Sequence, residues 1–63
     1  MSQFKFPIGA KIARSLTDAP LLIVGRENHP AYTTRIYQTI DTSGVRDWEY
    51  ADVLEENFIE LEN

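Results

Sequence analysis

Hydrophobic and polar positions alternate with a period of two along most of this chain. From Ile8 to Arg14, the positions Ile8, Ala10 and Ile12 share one parity and Gly9, Lys11 and Ala13 the other, the pattern of a half-buried strand. Ahead of it lies a short lead, Met1–Phe6, which carries Phe4 and Phe6 and ends at Pro7. Ser15–Pro20 is rich in turn residues and predicts a break. Leu21-Leu22-Ile23-Val24 is a continuous apolar run, too short for a helix and rich in branched side chains, which predicts a strand covered on both faces. Gly25 predicts a bulge or bend. Glu27–Ala31 reads as a loop, because Pro30 pushes His29 away from helical geometry.

Thr33–Ile40 returns to a strand pattern, with Thr34, Ile36 and Ile40 on one parity and Arg35, Tyr37 and Thr39 on the other. Asp41-Thr42-Ser43-Gly44 is the clearest turn: Asp caps its own turn and Gly supplies positive φ. It predicts an antiparallel hairpin between Thr33–Ile40 and Val45–Tyr50. In the second arm Arg46, Trp48 and Tyr50 share a face, opposite Val45, Asp47 and Glu49. Ala51–Asn57 alone leans helical, for about one turn, with Asp52 and Glu55 spaced as a capping box. Phe58–Leu61 reads as a short last strand. The expected interior is Ile8, Ile12, Leu22, Val24, Ile36, Ile40, Val53, Leu54, Ile59 and Leu61, with Trp48 as a buried anchor. Tyr37, on the parity opposite Ile36, is expected to be at least partly exposed.

Five short strands in 63 residues form one domain, 1–63, and cannot bury two separate sheets. A bent sheet closing into a small barrel is the economical arrangement, because closure removes exposed edges. The fold class expected is therefore all-β, a five-stranded barrel with one short helical turn before the last strand. The opening Phe6-Pro7-Ile8-Gly9-Ala10-Lys11-Ile12 and the closing Leu54-Glu55-Glu56-Asn57-Phe58-Ile59-Glu60-Leu61 resemble the ends of SH3-like barrels. The likeness is of the general kind shown by the photosystem I reaction-centre subunit IV family and KOW-type modules. The paired tryptophans of the peptide-binding members are not present, since Trp48 stands alone. Nor is the glycine-rich core of the KOW motif.

Charge sharpens the picture. All six basic residues lie in 1–46 with the acids Asp18, Glu27 and Asp41, a net +3, whereas 47–63 carries seven acids and no base, a net −7. The overall −4 speaks against strong generic binding to nucleic acid, which needs a clustered basic surface. The absence of Cys excludes disulfides, thiolate metal sites and cysteine nucleophiles. With one His, a structural zinc site is not expected. His29 reads as a solvated loop residue. Ser15 and Ser43 are turn residues with no activating base in view. Asp47, Glu49 and Asp52 lack the spacing of a calcium loop. The three glycines are too dispersed to cradle a phosphate. No catalytic residue, metal or cofactor is expected.

What remains is aromatic. Exposed Tyr and Arg are frequent anchors of protein interfaces. The expected function is a small non-enzymatic interaction or accessory module, cytoplasmic and apart from membranes, docking on a larger protein partner through Tyr32, Arg35 and Tyr37. The acidic face Glu55, Glu56, Glu60 and Glu62 is next in line. The alternative is a nucleic-acid-associated barrel using Lys11, Arg14 and Arg26 together with Arg35, with Tyr37 for stacking.

Overall fold

The computed structural model describes residues 4–29, 31 and 34–61. The chain runs β1 (Lys11–Ala13), β2 (Leu21–His29), β3 (Thr34–Ile40), β4 (Arg46–Tyr50), α1 (Ala51–Asn57) and β5 (Ile59–Leu61). The strands form one open antiparallel sheet in the order β4-β3-β2-β1-β5.

The predicted hairpin is present, with Ile36 opposite Tyr50, Gln38 opposite Trp48 and Ile40 opposite Arg46. Its turn is built by Asp41. The Asp41 carboxylate accepts the amides of Ser43 at 2.8 Å and Val45 at 2.9 Å. The Asp41 carbonyl accepts Gly44 N–H at 3.0 Å. Gly44 then takes φ 85°, the left-handed residue that closes a hairpin of this length. The expected irregularity also appears: the β2–β3 register shifts between Ile23 and Gly25, so Val24 is the extra residue of a bulge.

Other expectations change. β1 is three residues long, because Pro7–Ala10 is a turn instead. Ala10 N–H donates to Pro7 O at 3.1 Å, and Gly9 at the third position has φ 94°, as a type II turn requires. Ile8 stands at the turn's apex and is exposed rather than interior. β2 runs on through Glu27 and Asn28 to His29, where a loop was expected. The residues of the long β3 give this segment ladder partners as far as Thr34, and pairing outweighs its polar composition. Asp52 does not cap α1: the cap position is Tyr50, with no side-chain bond.

The main core cluster lies on one side of the sheet and comprises Phe6, Ala10, Ile12, Ile23, Tyr37, Ala51 and Leu54, with Phe4, Leu21 and Phe58 packed against it; Ala13 and Ile36 are buried outside that cluster. Its largest fully buried members are Tyr37 and Phe6. The aromatic lead therefore fills the space that Val53, Ile59 and Trp48 were expected to fill. Those residues are exposed, because α1 turns Ala51 and Leu54 inward and leaves Val53 outside, and β5 and β4 are the two edges of the sheet.

Candidate interaction surface

The hairpin has two faces, and they do different things. On the inner face Tyr37 is fully buried, which corrects the expectation that it contributes an exposed anchor. A phenol can be buried at this depth when its polar tip is satisfied. The Tyr37 hydroxyl donates to Glu55 Oε2 at 2.6 Å and accepts Phe6 N–H at 3.0 Å. Its ring meets those of Phe4 and Phe6 at centroid distances of 5.3 and 5.8 Å. Glu55 Oε2 also accepts the Lys5 amide at 3.0 Å. Arg35 spans two of the three carboxylates of the helix, Asp52 and Glu55. It donates to Glu55 at 3.1 and 3.2 Å and to Asp52 at 2.8 Å, and it lies 5.5 Å from the Phe4 ring centroid.

Electrostatics follow this geometry. Burial, and then the hydrogen bond to anionic Glu55, push the Tyr37 phenol up from 10.0 to about 12. Burial opposes ionisation of Glu55, but the Lys5 amide, the Tyr37 hydroxyl and the Arg35 guanidinium outweigh it and hold the carboxyl below its ordinary range. The Arg35 guanidinium is raised, first by its hydrogen bond to Glu55. Arg35 and Tyr37 are thus brought together, but as a fastening for the N-terminal lead. Tyr32 and Glu62 lie outside the described residues.

Of the residues proposed for a nucleic-acid face, Arg26 and Arg35 share the Phe4 ring, while Arg14 and Lys11 lie elsewhere. Arg26 turns to the core side, donating to Phe6 O at 3.4 Å with its guanidinium 5.4 Å from the Phe4 ring. Arg14 lies over Phe58 at 5.6 Å. Lys11 sits opposite Leu22 in the ladder, on the outer side.

On the outer face the aromatics are accessible. Trp48 is 49% and Tyr50 43% exposed, and their rings meet edge to face at 5.3 Å. Beside them runs an open groove of about 470 Å³, lined chiefly by Val24, Ile36, Gln38, Trp48, Arg46 and Glu27. The bulge delivers Val24 to it, and Gly25 lets Gln38 lie across β2, since a Cβ there would come within 2.7 Å of Gln38 Oε1. Gln38 donates to Glu27 Oε1 at 3.2 Å and so forms part of the groove wall. A second cleft of about 200 Å³ opens on the other side of β4, where Asp41, Asp47 and Glu49 face Arg14, Val53 and Phe58.

This outer surface escaped a reading that assigned Trp48 to the core. The signal was in the chain all the same: in Arg46–Tyr50 aromatics alternate with acids, which puts rings on one face and carboxylates on the other. The sequence spacing likewise suggests Glu55 as half of a capping box. The same three-residue spacing aligns Asp52 and Glu55 on one helix face, where both reach Arg35. Among the described residues no helix is long and apolar enough to cross a membrane. Comparison with protein-family models, curated proteins and solved structures finds no match to this chain.

Proposed function

We propose that this domain is a small non-enzymatic interaction module of the cytoplasm, built on an SH3-like barrel, and that it docks on a larger protein through the outer face of its hairpin. The barrel reading draws on the strand order β4-β3-β2-β1-β5, with β1 between β2 and β5 and the helix between β4 and β5. The functional reading is carried by one observation: a half-exposed Trp48, edge to face with Tyr50, forms a wall of an apolar groove. Large aromatics held on a rigid sheet beside a cavity lose little entropy on binding and gain much contact.

The occupant is an apolar side chain of the partner carried between Lys or Arg residues. The groove supplies Val24, Ile36 and Trp48 for the former, and Glu27 and Asp47 at its margin favour the latter. Titration with short peptides that alternate Lys and Val, followed by Trp48 emission, tests this. Saturable binding is expected in wild type. Val24→Asp should lose at least tenfold in affinity at an unchanged melting temperature, and the exposed control Glu56→Ala should bind as wild type does. No saturable response from any such peptide would refute it. Binding of random nucleic acid at physiological salt, in the micromolar range or tighter, would instead move the function to the basic residues.

A further inference from the structure

Among the described residues β4 is an edge of the sheet, and two of its outward amides are satisfied from within the strand. In an antiparallel ladder, residues that exchange hydrogen bonds with the neighbouring strand alternate with residues whose amides point away. Asp41 N–H donates to Val45 O at 3.0 Å, which sets the phase. Thr39/Asp47 and Tyr37/Glu49 are then the bonded pairs, and the amides of Arg46, Trp48 and Tyr50 point to the open edge. Two of these are covered from within the strand: Trp48 N–H donates to Asp47 Oδ1 and Tyr50 N–H to Glu49 Oε1, each at 2.8 Å. Trp48 and Tyr50 thus present aligned donors, each held by the carboxylate of the preceding residue.

That edge also forms the ridge between the two clefts. The aromatic groove lies on one side and the acidic cleft on the other. Side chains of an added strand would fall alternately into each, because successive residues of a strand point to opposite faces. On the outer side they would meet Trp48, Tyr50 and the groove. On the inner side they would meet Asp47 and Glu49, with Asp41 beyond and Arg14 the one cation among the described residues that line that cleft.

We infer that β4 accepts an extended segment of the partner protein as an additional antiparallel or parallel strand, in which apolar residues alternate with Lys or Arg. This rests on the interaction-module reading and specifies its mode. The partner's carbonyls take the Trp48 and Tyr50 amides, and the released Asp47 and Glu49 carboxylates turn to the partner's cations. Charge selects this occupant over a second copy of the chain. A second β4 would bring Asp47 and Glu49 against their own equivalents, and β5, the other open edge, carries Glu60. Acidic side chains on an edge strand ordinarily block self-pairing. Here the same groups become ligands for a basic strand.

The test compares a capped peptide alternating Lys and Val with the same peptide N-methylated at alternate residues, on the full chain. Amide hydrogen exchange is read at Trp48 and Tyr50. The expected result is at least tenfold slower exchange at both amides with the parent peptide, and loss of binding when the methyl groups sit on the residues whose amides face β4, where they bar close approach of the two backbones and remove the donors for the outward carbonyls of β4 but keep the side chains. A peptide alternating Glu and Val should not bind. In the double variant Asp47→Asn, Glu49→Gln the affinity for the Lys peptide should fall about tenfold with the melting temperature retained. If the N-methylated peptide binds as well as its parent and Val24→Asp abolishes both, the groove reading stands and strand addition is overturned. If no peptide binds, both fail. If Trp48 and Tyr50 become protected with rising protein concentration and no peptide, the edge pairs with a second copy and the proposal is overturned.

Discussion

Replacing Glu55 with Ala should remove a large part of this domain's stability, and the structure indicates how much. Glu55 is the acceptor shared by the Tyr37 hydroxyl, the Lys5 amide and Arg35. Without it the buried Tyr37 proton loses its acceptor, at about 1–3 kcal/mol. The Lys5 amide is exposed and water replaces its bond. Arg35 keeps Asp52, so the lost ion pair, which is partly screened, adds about 1 kcal/mol. The total is about 2–4 kcal/mol, against roughly 3–9 kcal/mol for a chain of this length at the usual stability per residue. In a thermal melt that is a fall of roughly 15–30 °C. Glu56→Ala, on the same helix but exposed, should stay within about 0.5 kcal/mol of wild type. The pH dependence gives a second readout. The folded carboxyl is held below its ordinary value, so its contribution is present above the unfolded carboxylate pKa and lost as pH falls through the folded one. Glu55→Gln should lack that component of acid destabilisation. If Glu55→Ala melts with Glu56→Ala, or if Glu55→Gln loses stability in acid as wild type does, the fastening role assigned to Glu55 is wrong.

Further outcomes follow from the same contacts. Because the Tyr37 phenol is raised to about 12 from 10.0, its contribution is complete below the unfolded value and is lost as pH climbs from about 10 to 12. Up to about 3 kcal/mol is at stake, and denaturant melts of Tyr37→Phe should lack this alkaline loss. Trp48→Ala should cost only about 1–2 kcal/mol, well short of the roughly 3–5 kcal/mol of a fully buried aromatic; a variant that fails to fold would return Trp48 to the core. Gly44→Ala should cost about 1–2 kcal/mol by calorimetry. Its φ of 85° is unfavourable for any side chain, although a Cβ would meet nothing within 4 Å, and an unchanged melt would show that the turn relaxes freely.

Elements were legible wherever local chemistry decides them. The Asp41–Gly44 turn, the arms it joins, the bulge beside Gly25, the short helix and the final strand all follow from side-chain type and spacing. Faces were less legible. β3 is covered on both sides, with Ile36 and Tyr37 each buried, so parity alone cannot say which residue faces the core. The lead was the larger omission. Phe4 and Phe6 enter the core from a segment with no periodic pattern, held by bonds to Tyr37 and Glu55 that span 31 and 50 residues. Contacts so distant along the chain leave no local trace. Once that aromatic volume is counted, the core no longer needs Trp48, and the burial expected of a lone tryptophan no longer applies.

This division of the aromatics explains how so small a domain can leave a tryptophan in solvent. A chain of this size buries roughly 60% of the surface its unfolded form exposes, and every large apolar group placed outside weakens it. The inner face of β3 offsets that loss by drawing Phe4, Phe6, the Tyr37 ring and the aligned carboxylates of α1 into one connected fastening. On the outer face of the same hairpin Ile36 is buried, while Trp48 and Tyr50 stay half-exposed. The fastening and the proposed recognition surface therefore sit on opposite sides of adjacent strands, and substitutions should separate them. Glu55→Gln should lower the melting temperature while peptide affinity, measured well below the melt, stays within about twofold. Val24→Asp should do the reverse. A Glu55→Gln protein that is folded at the assay temperature yet has lost peptide binding would show that the two faces are coupled through β3, and that the hairpin is not the rigid platform on which the recognition argument depends.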